Sequence, residues 1–202
     1  SAQDIHRKAH IQSFGLMYPK SNYRLPILEN RLIKVVRFAT LFQIECGTLS
    51  QKKDCTLMKY DEKYTALDRE ALMQAVQMRM SERRFKHVLG VEETAVALAE
   101  RFGGSPKKAS IAALTHDYAK ERSDEEFKLA IAKGNYENKT ELLKYGNAIW
   151  HGLVGADFVA RELEITDEEI LNAIRLHTTG AAEMTLLDKI IYVADYIEPG
   201  RH

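Results

Sequence analysis

From about residue 58 onward the sequence predicts an all-α bundle. Three observations carry that expectation. Helix-capping residues recur along the segment, apolar residues follow helical rather than alternating spacing, and no convincing strand pattern interrupts them. The chain has 202 residues, 45% of them hydrophobic and 29% charged, enough to bury a real core.

The elements read in order. Asp68 can cap a helix over DREALMQAVQMRM. Ser81 opens ERRFKHVLGVEETAVALAERF, where Val88, Val91, Ala95, Leu98 and Ala99 share a face and Gly103-Gly104 makes the stop. Ser105-Pro106 pairs an N-cap with proline at the first helical position. The stretch Ile111–Arg122 reads as a helix with His116-Asp117 in its middle and Lys120 one turn later. Ser123 with Glu126, and Thr166 with Glu169, read as capping boxes. Thr140 opens a single long helix, ELLKYGNAIWHGLVGADFVARELEI. Gly180 ends the helix carrying His177, and Thr185 opens LLDKIIYVADYIE, closed by Pro199-Gly200.

Residues 1–57 form an N-terminal extension of unassigned role. Pro19 and Pro26 lie in it, and LIKVVRFATLF at 32–42 fits a helix or a strand equally well. That run is too short to span a membrane. Cys46 and Cys55 read as free thiols, with a disulfide between them left open. The start, SAQDIHRKAH, lacks the apolar core of a signal peptide, so a cytoplasmic protein is expected. Formal net charge is zero, which argues against a nucleic-acid partner or an anionic membrane surface. Any phosphate site must therefore be built locally.

Seven histidines occur, and His87, His116, His151 and His177 fall in or beside predicted helices. Each has an ordinary explanation alone: a satisfied core residue, an aromatic cluster beside Trp150, or a cation favoured at a helix C-terminus. Asp195 is harder to explain. It sits in IIYVADYI, where an ionised carboxylate is costly unless paired or bound to metal; Lys189 and Arg201 are the candidate partners. If the helices converge, His87, His116, Asp117 and Asp195 offer two imidazoles and two carboxylates. That donor set suits Fe, Mn, Zn, Ni or Co. His151 and His177 then serve a second metal bridged by Asp117, or hold a substrate phosphate. Arg84 and Lys120 stand three residues from His87 and Asp117, and would neutralise phosphate charge.

The order His87, His116-Asp117, Asp195 resembles the signature of HD-domain metal-dependent phosphohydrolases. RRFKHVLGVEETAVALAERFG, AALTHDYAKE, YGNAIWHGLVGA and AIRLHTTGAAEMTLLDKIIYVADYIEPGR resemble, more narrowly, the bacterial HD-domain symmetrical bis(5'-nucleosyl)-tetraphosphatases. The resemblance covers about residues 58–201. It implies an HD-domain helical bundle and a cytoplasmic, iron-dependent hydrolase that cleaves diadenosine tetraphosphate to two ADP. His87, His116, Asp117 and Asp195 match the metal ligands. Arg84, Lys120, His151, His177, Thr178 and Arg201 match nucleotide-side positions that bind substrate. Asp117, Lys120, His151 and His177 are the expected catalytic set, acting with metal-bound water on a polyphosphate phosphorus.

Family members begin near the equivalent of Met58 and continue beyond EPGR. The domain, 58–202, is thus expected to be C-terminally truncated, with residues 1–57 lacking a counterpart. The expected partner is a dinucleoside polyphosphate or an ADP- or GDP-like nucleotide, and a homodimer is allowed. Two rivals remain: an HD-type nucleotide phosphatase or phosphodiesterase with another substrate, and a non-catalytic nucleotide-binding metal module.

Overall fold

The computed structural model describes Cys55 and residues 58–200. The extension 1–57 apart from Cys55, and Arg201, lie outside the described residues. Among the described residues there are nine helices and no strand: α1 (Arg69–Gln77), α2 (Glu82–Phe102), α3 (Pro106–Thr115), α4 (Asp124–Lys133), α5 (Lys139–Leu142), α6 (Asn147–Leu153), α7 (Gly155–Glu162), α8 (Glu168–Leu176) and α9 (Leu186–Ile197). None is long and apolar enough to cross a membrane.

Local chemistry sets most of the boundaries. The side chains of Asp68, Ser81 and Ser105 accept from the backbone N–H groups of Ala71, Arg84 and Lys108, filling donors that a helix start leaves orphaned. Ser123 with Glu126, and Thr185 with Asp188, close reciprocal capping boxes. Gly103 ends α2 in the left-handed region at φ 74°, a conformation only glycine adopts without cost.

At the centre lies α3. Every residue from Ala109 to Ala119 is buried, so this helix is enclosed on all sides rather than on one stripe. Its alanines let α2 approach closely, and α8, α9 and α1 complete the enclosure. Beside it, Phe127 packs against Trp150 and Phe158, with ring centroids 5.8 and 5.7 Å apart. Trp150 donates from Nε1 to the Leu142 carbonyl at 2.8 Å, so its one polar atom is satisfied.

Three sequence expectations are corrected. The helix read over Ile111–Arg122 stops at Thr115, and His116-Asp117 sit at its end rather than its middle. The chain tightens there into turns three residues wide, with Tyr118 N–H bonded to Thr115 O, Lys120 N–H to Asp117 O and Arg122 N–H to Ala119 O. The single helix from Thr140 is instead three: α5, capped by Asn138, then α6 and α7. Gly146, extended at φ −119°, breaks the first junction, where an interior glycine would cost about 1 kcal/mol against alanine. Finally, Asp167 and not Thr166 caps α8. Its carboxylate takes the N–H groups of both Glu169 and Ile170 and pairs with Lys108 at 2.8 Å, which a threonine hydroxyl cannot match.

Candidate metal centre

Five helices bring their polar residues to one point. His87 comes from the second turn of α2, His116 and Asp117 from the end of α3, His151 from α6, His177 from the end of α8, and Asp195 from α9. His116, Asp117, His151, His177 and Asp195 are all buried.

Backbone carbonyls orient three of the imidazoles. His116 Nδ1 lies 2.6 Å from Ala113 O, His151 Nδ1 2.6 Å from Asn147 O, and His177 Nδ1 2.6 Å from Ile174 O. A carbonyl accepts only from an N–H, so each ring carries a proton on Nδ1 and turns its Nε2 inward. His87 is held differently: its Nδ1 lies 3.0 Å from Glu198 Oε1.

The inward atoms gather around Asp117. Its Oδ2 is 2.7 Å from Arg84, 3.8 Å from His116 Nε2 and 4.0 Å from His87 Nε2. Its Oδ1 faces the other way, 3.5 Å from His151 Nε2 and 3.7 Å from His177 Nε2. Asp195 Oδ1 lies 3.2 Å from His87 Nε2 and 3.9 Å from His116 Nε2. Asp195 therefore faces histidines, and the sequence alternative of a structural pair with Lys189 is not what these distances describe.

Electrostatics follow from burial. Desolvation drives the His116 pKa down to about 4 and that of His151 down to about 3, so both rings are neutral near pH 7 and keep a lone pair on Nε2. Burial opposes the charge on Asp117, but the surrounding histidines outweigh it and hold its carboxyl well below the usual range. Burial likewise opposes the charge on His87, while hydrogen bonds to Asp195 and Glu198 overcome it and raise its pKa.

A divalent metal fits these residues on one observation above all. His116 Nε2 is buried and has no hydrogen-bond partner. A neutral Nε2 buried from solvent with no donor beside it needs an electron-pair acceptor. Donor atoms of His87, His116 and Asp195 lie within 4.8 Å of one another, as do those of His116, Asp117 and His177. Two carboxylates with neutral imidazoles make a set suited to a borderline divalent cation.

The remaining expected residues surround this point. Lys120 Nζ lies 3.2 Å from each ring nitrogen of His151, and Asn147 Nδ2 holds the Lys120 carbonyl at 3.0 Å. Thr178 Oγ1 is 3.1 Å from His151 Nε2 and 3.0 Å from His177 Nε2. Arg84 and His87 line a cleft of about 830 Å³, together with Ser81, Arg83, Lys86, Glu121 and Glu198. Glu198 was missed in the sequence. Its signal was its place three residues after Asp195, at the end of the most apolar helix, where a carboxylate shares the ligand-bearing face.

Residues 84–200 match the HD domain model. The chain belongs to the HD-domain family. With that membership comes dependence on a divalent metal, in agreement with the donor groups described above. Over 135 residues the chain is 50% identical to the protein named symmetrical bis(5'-nucleosyl)-tetraphosphatase of Bacillus subtilis, covering 67% of this chain and 72% of that one. The protein of the same name from Halalkalibacterium halodurans is 43% identical over 135 residues, covering 67% and 71%. Among solved structures, the predicted HD superfamily hydrolase involved in NAD metabolism from Clostridium acetobutylicum aligns with TM-score 0.60 and 38% identity. That alignment covers 67% of this chain and 71% of that chain.

Proposed function

We propose that this chain is a metal-dependent hydrolase that cleaves diadenosine tetraphosphate symmetrically to two ADP, with iron as its metal. The observation that carries the reading is the bare, buried Nε2 of His116 set among His87, Asp117 and Asp195. The names of the relatives above support the choice of substrate.

His87, His116, Asp117 and Asp195 would hold the ion. When bound, it supplies Lewis acidity at a phosphoryl oxygen and a nucleophile at neutral pH. The chain's own residues do the rest. Arg84, reached through the cleft and 2.7 Å from Asp117, stabilises charge that grows on the equatorial phosphoryl oxygens. Lys120 carries a proton on Nζ beside His151, and this pair delivers it to the leaving ADP oxygen. Thr178 and His177, 3.0 Å apart, hold the neighbouring phosphate. Arg201, which lies outside the described residues, is assigned to nucleotide binding by the sequence resemblance alone. Residues 58–202 form the catalytic domain in this reading. The enzyme is cytoplasmic, and a homodimer is compatible with it and is tested by light scattering.

The test is one assay. Purified chain is incubated with diadenosine tetraphosphate and Fe(II) under reducing conditions, beside the Asp117→Ala variant, and the nucleotides are separated by chromatography. ADP as sole product, lost in the variant, is expected. AMP with ATP would overturn symmetric cleavage. Turnover only of other nucleotides would move the chain to a phosphatase or phosphodiesterase, and binding without turnover to a nucleotide-binding module.

A further inference from the structure

We propose that Glu198 is the positioning residue that aims His87 at the metal centre, seated in a space that Gly90 leaves open. The inference rests on the metal-centre reading above.

His87 differs from the other three histidines in one respect. They stand at or near helix ends and take an acceptor from the preceding turn of their own chain. His87 lies inside the 21-residue α2, and its Nδ1 is held by a residue of another helix end. Without that acceptor the ring is free to turn about its side-chain bonds. Glu198, the residue that ends α9, supplies Oε1 at 3.0 Å.

The carboxylate is itself fixed. It is 4% exposed, and its Oε2 accepts the Gly200 N–H at 2.8 Å. One oxygen serves the turn and the other serves the ring. Gly90 stands one turn after His87 on α2, and a Cβ there would lie 2.5 Å from Glu198 Oε2. No side-chain carbon fits while the carboxylate keeps its place. The imidazole stands between two carboxylates: Glu198 touches Nδ1, and Asp195 lies 3.2 Å from Nε2. Glu198 therefore acts through His87 rather than as a ligand. A carboxylate is also a stronger acceptor than a carbonyl, so it makes Nε2 more basic as well as better aimed.

Cobalt(II) alone is the probe, because its visible absorption reports affinity and coordination without any turnover. Glu198→Ala is expected to bind cobalt about ten- to hundredfold more weakly than wild type, with an altered spectrum. Glu198→Gln retains an oxygen acceptor and should lose less. Gly90→Ala leaves every ligand in place and replaces glycine by a better helix former, yet should weaken cobalt binding by displacing Glu198. In the Glu198→Ala background the same Gly90→Ala change should cost no further affinity. Melting of each metal-free variant checks the fold, and Glu198→Gln with Gly90→Ala carries the comparison should Glu198→Ala not fold. Wild-type affinity in Glu198→Ala, or an equal Gly90→Ala cost in both backgrounds, overturns the proposal and leaves the metal centre standing. A wild-type chain that takes up no cobalt overturns both.

Discussion

The helix α2 borders two buried polar clusters, and they have opposite characters. Glu92 is 1% exposed, but every bond it needs is made. Arg69 donates to it twice, at 2.9 and 2.7 Å, and Ser110 donates at 2.5 Å while its own oxygen lies 2.7 Å from Tyr60. Five residues earlier, His87 enters a cluster where His116 Nε2 has no partner, beside His151 and His177 whose Nε2 atoms stand 3.1 Å apart. A polar network that closes on itself holds the helices together; one that leaves aimed atoms open awaits something from outside.

Substitution on each side should separate the two roles. The largest effect belongs to Asp117→Ala, which should lower turnover by at least about a thousandfold. The melting temperature of the metal-free protein should fall only slightly, because loss of the Arg84 pair is partly offset by removal of a buried carboxylate. Arg69→Ala should do the reverse. It leaves Glu92 in the core with Ser110 as its remaining donor, and should cost about 3–5 kcal/mol in denaturant unfolding while kcat of the folded fraction stays unchanged. A destabilised Asp117→Ala with an untouched Arg69→Ala would break the comparison.

Lys120→Ala comes next. On the proposed mechanism it should lower kcat by about a hundredfold with little change in KM, as loss of a proton donor to the leaving group does. Chelation should lower the melting temperature of wild type in a metal-concentration-dependent manner and leave Asp117→Ala unaffected. Acid then probes the open cluster in the chelated protein. Burial depresses His116 to about 4 from an ordinary 6.5, so below about pH 6.5 the unfolded chain takes up a proton that the folded one refuses. Stability is therefore full above that pH and lost as pH falls toward 4, which urea titrations across the range would read. The smallest effect is Tyr60→Phe, at about 1 kcal/mol of stability and none of activity.

Much of this was legible in the sequence, and what was not has physical causes. Caps at Asp68, Ser81, Ser105, Ser123 and Thr185 are written in the residues that make them, since a cap bonds within three positions of itself. The end of α3 was missed because Ile111–Arg122 has helical composition throughout. What stops the helix is side-chain bonding from Thr115 and His116 back to Ile111 and Ala113, which spacing alone does not show. The break at Gly146 was underweighted for a similar reason: helix-forming residues on both sides of it masked a glycine in extended conformation. For the site, the residue types and their apolar settings pointed to His87, His116, Asp117 and Asp195. The tautomers, the orphaned Nε2 and the grip of Glu198 depend on distances, and no spacing rule supplies those.

The carbonyl bonds at His116, His151 and His177 also bear on how the protein is made. Those three rings receive their aim within four residues, so each is oriented as soon as its own helix end forms on the emerging chain. His87 waits for a partner 111 residues later. Three of the four imidazoles thus take their aim locally, and the fourth only when α9 packs against α2. Docking of α9 thereby brings the Asp195 donor and the grip on His87 to the site together.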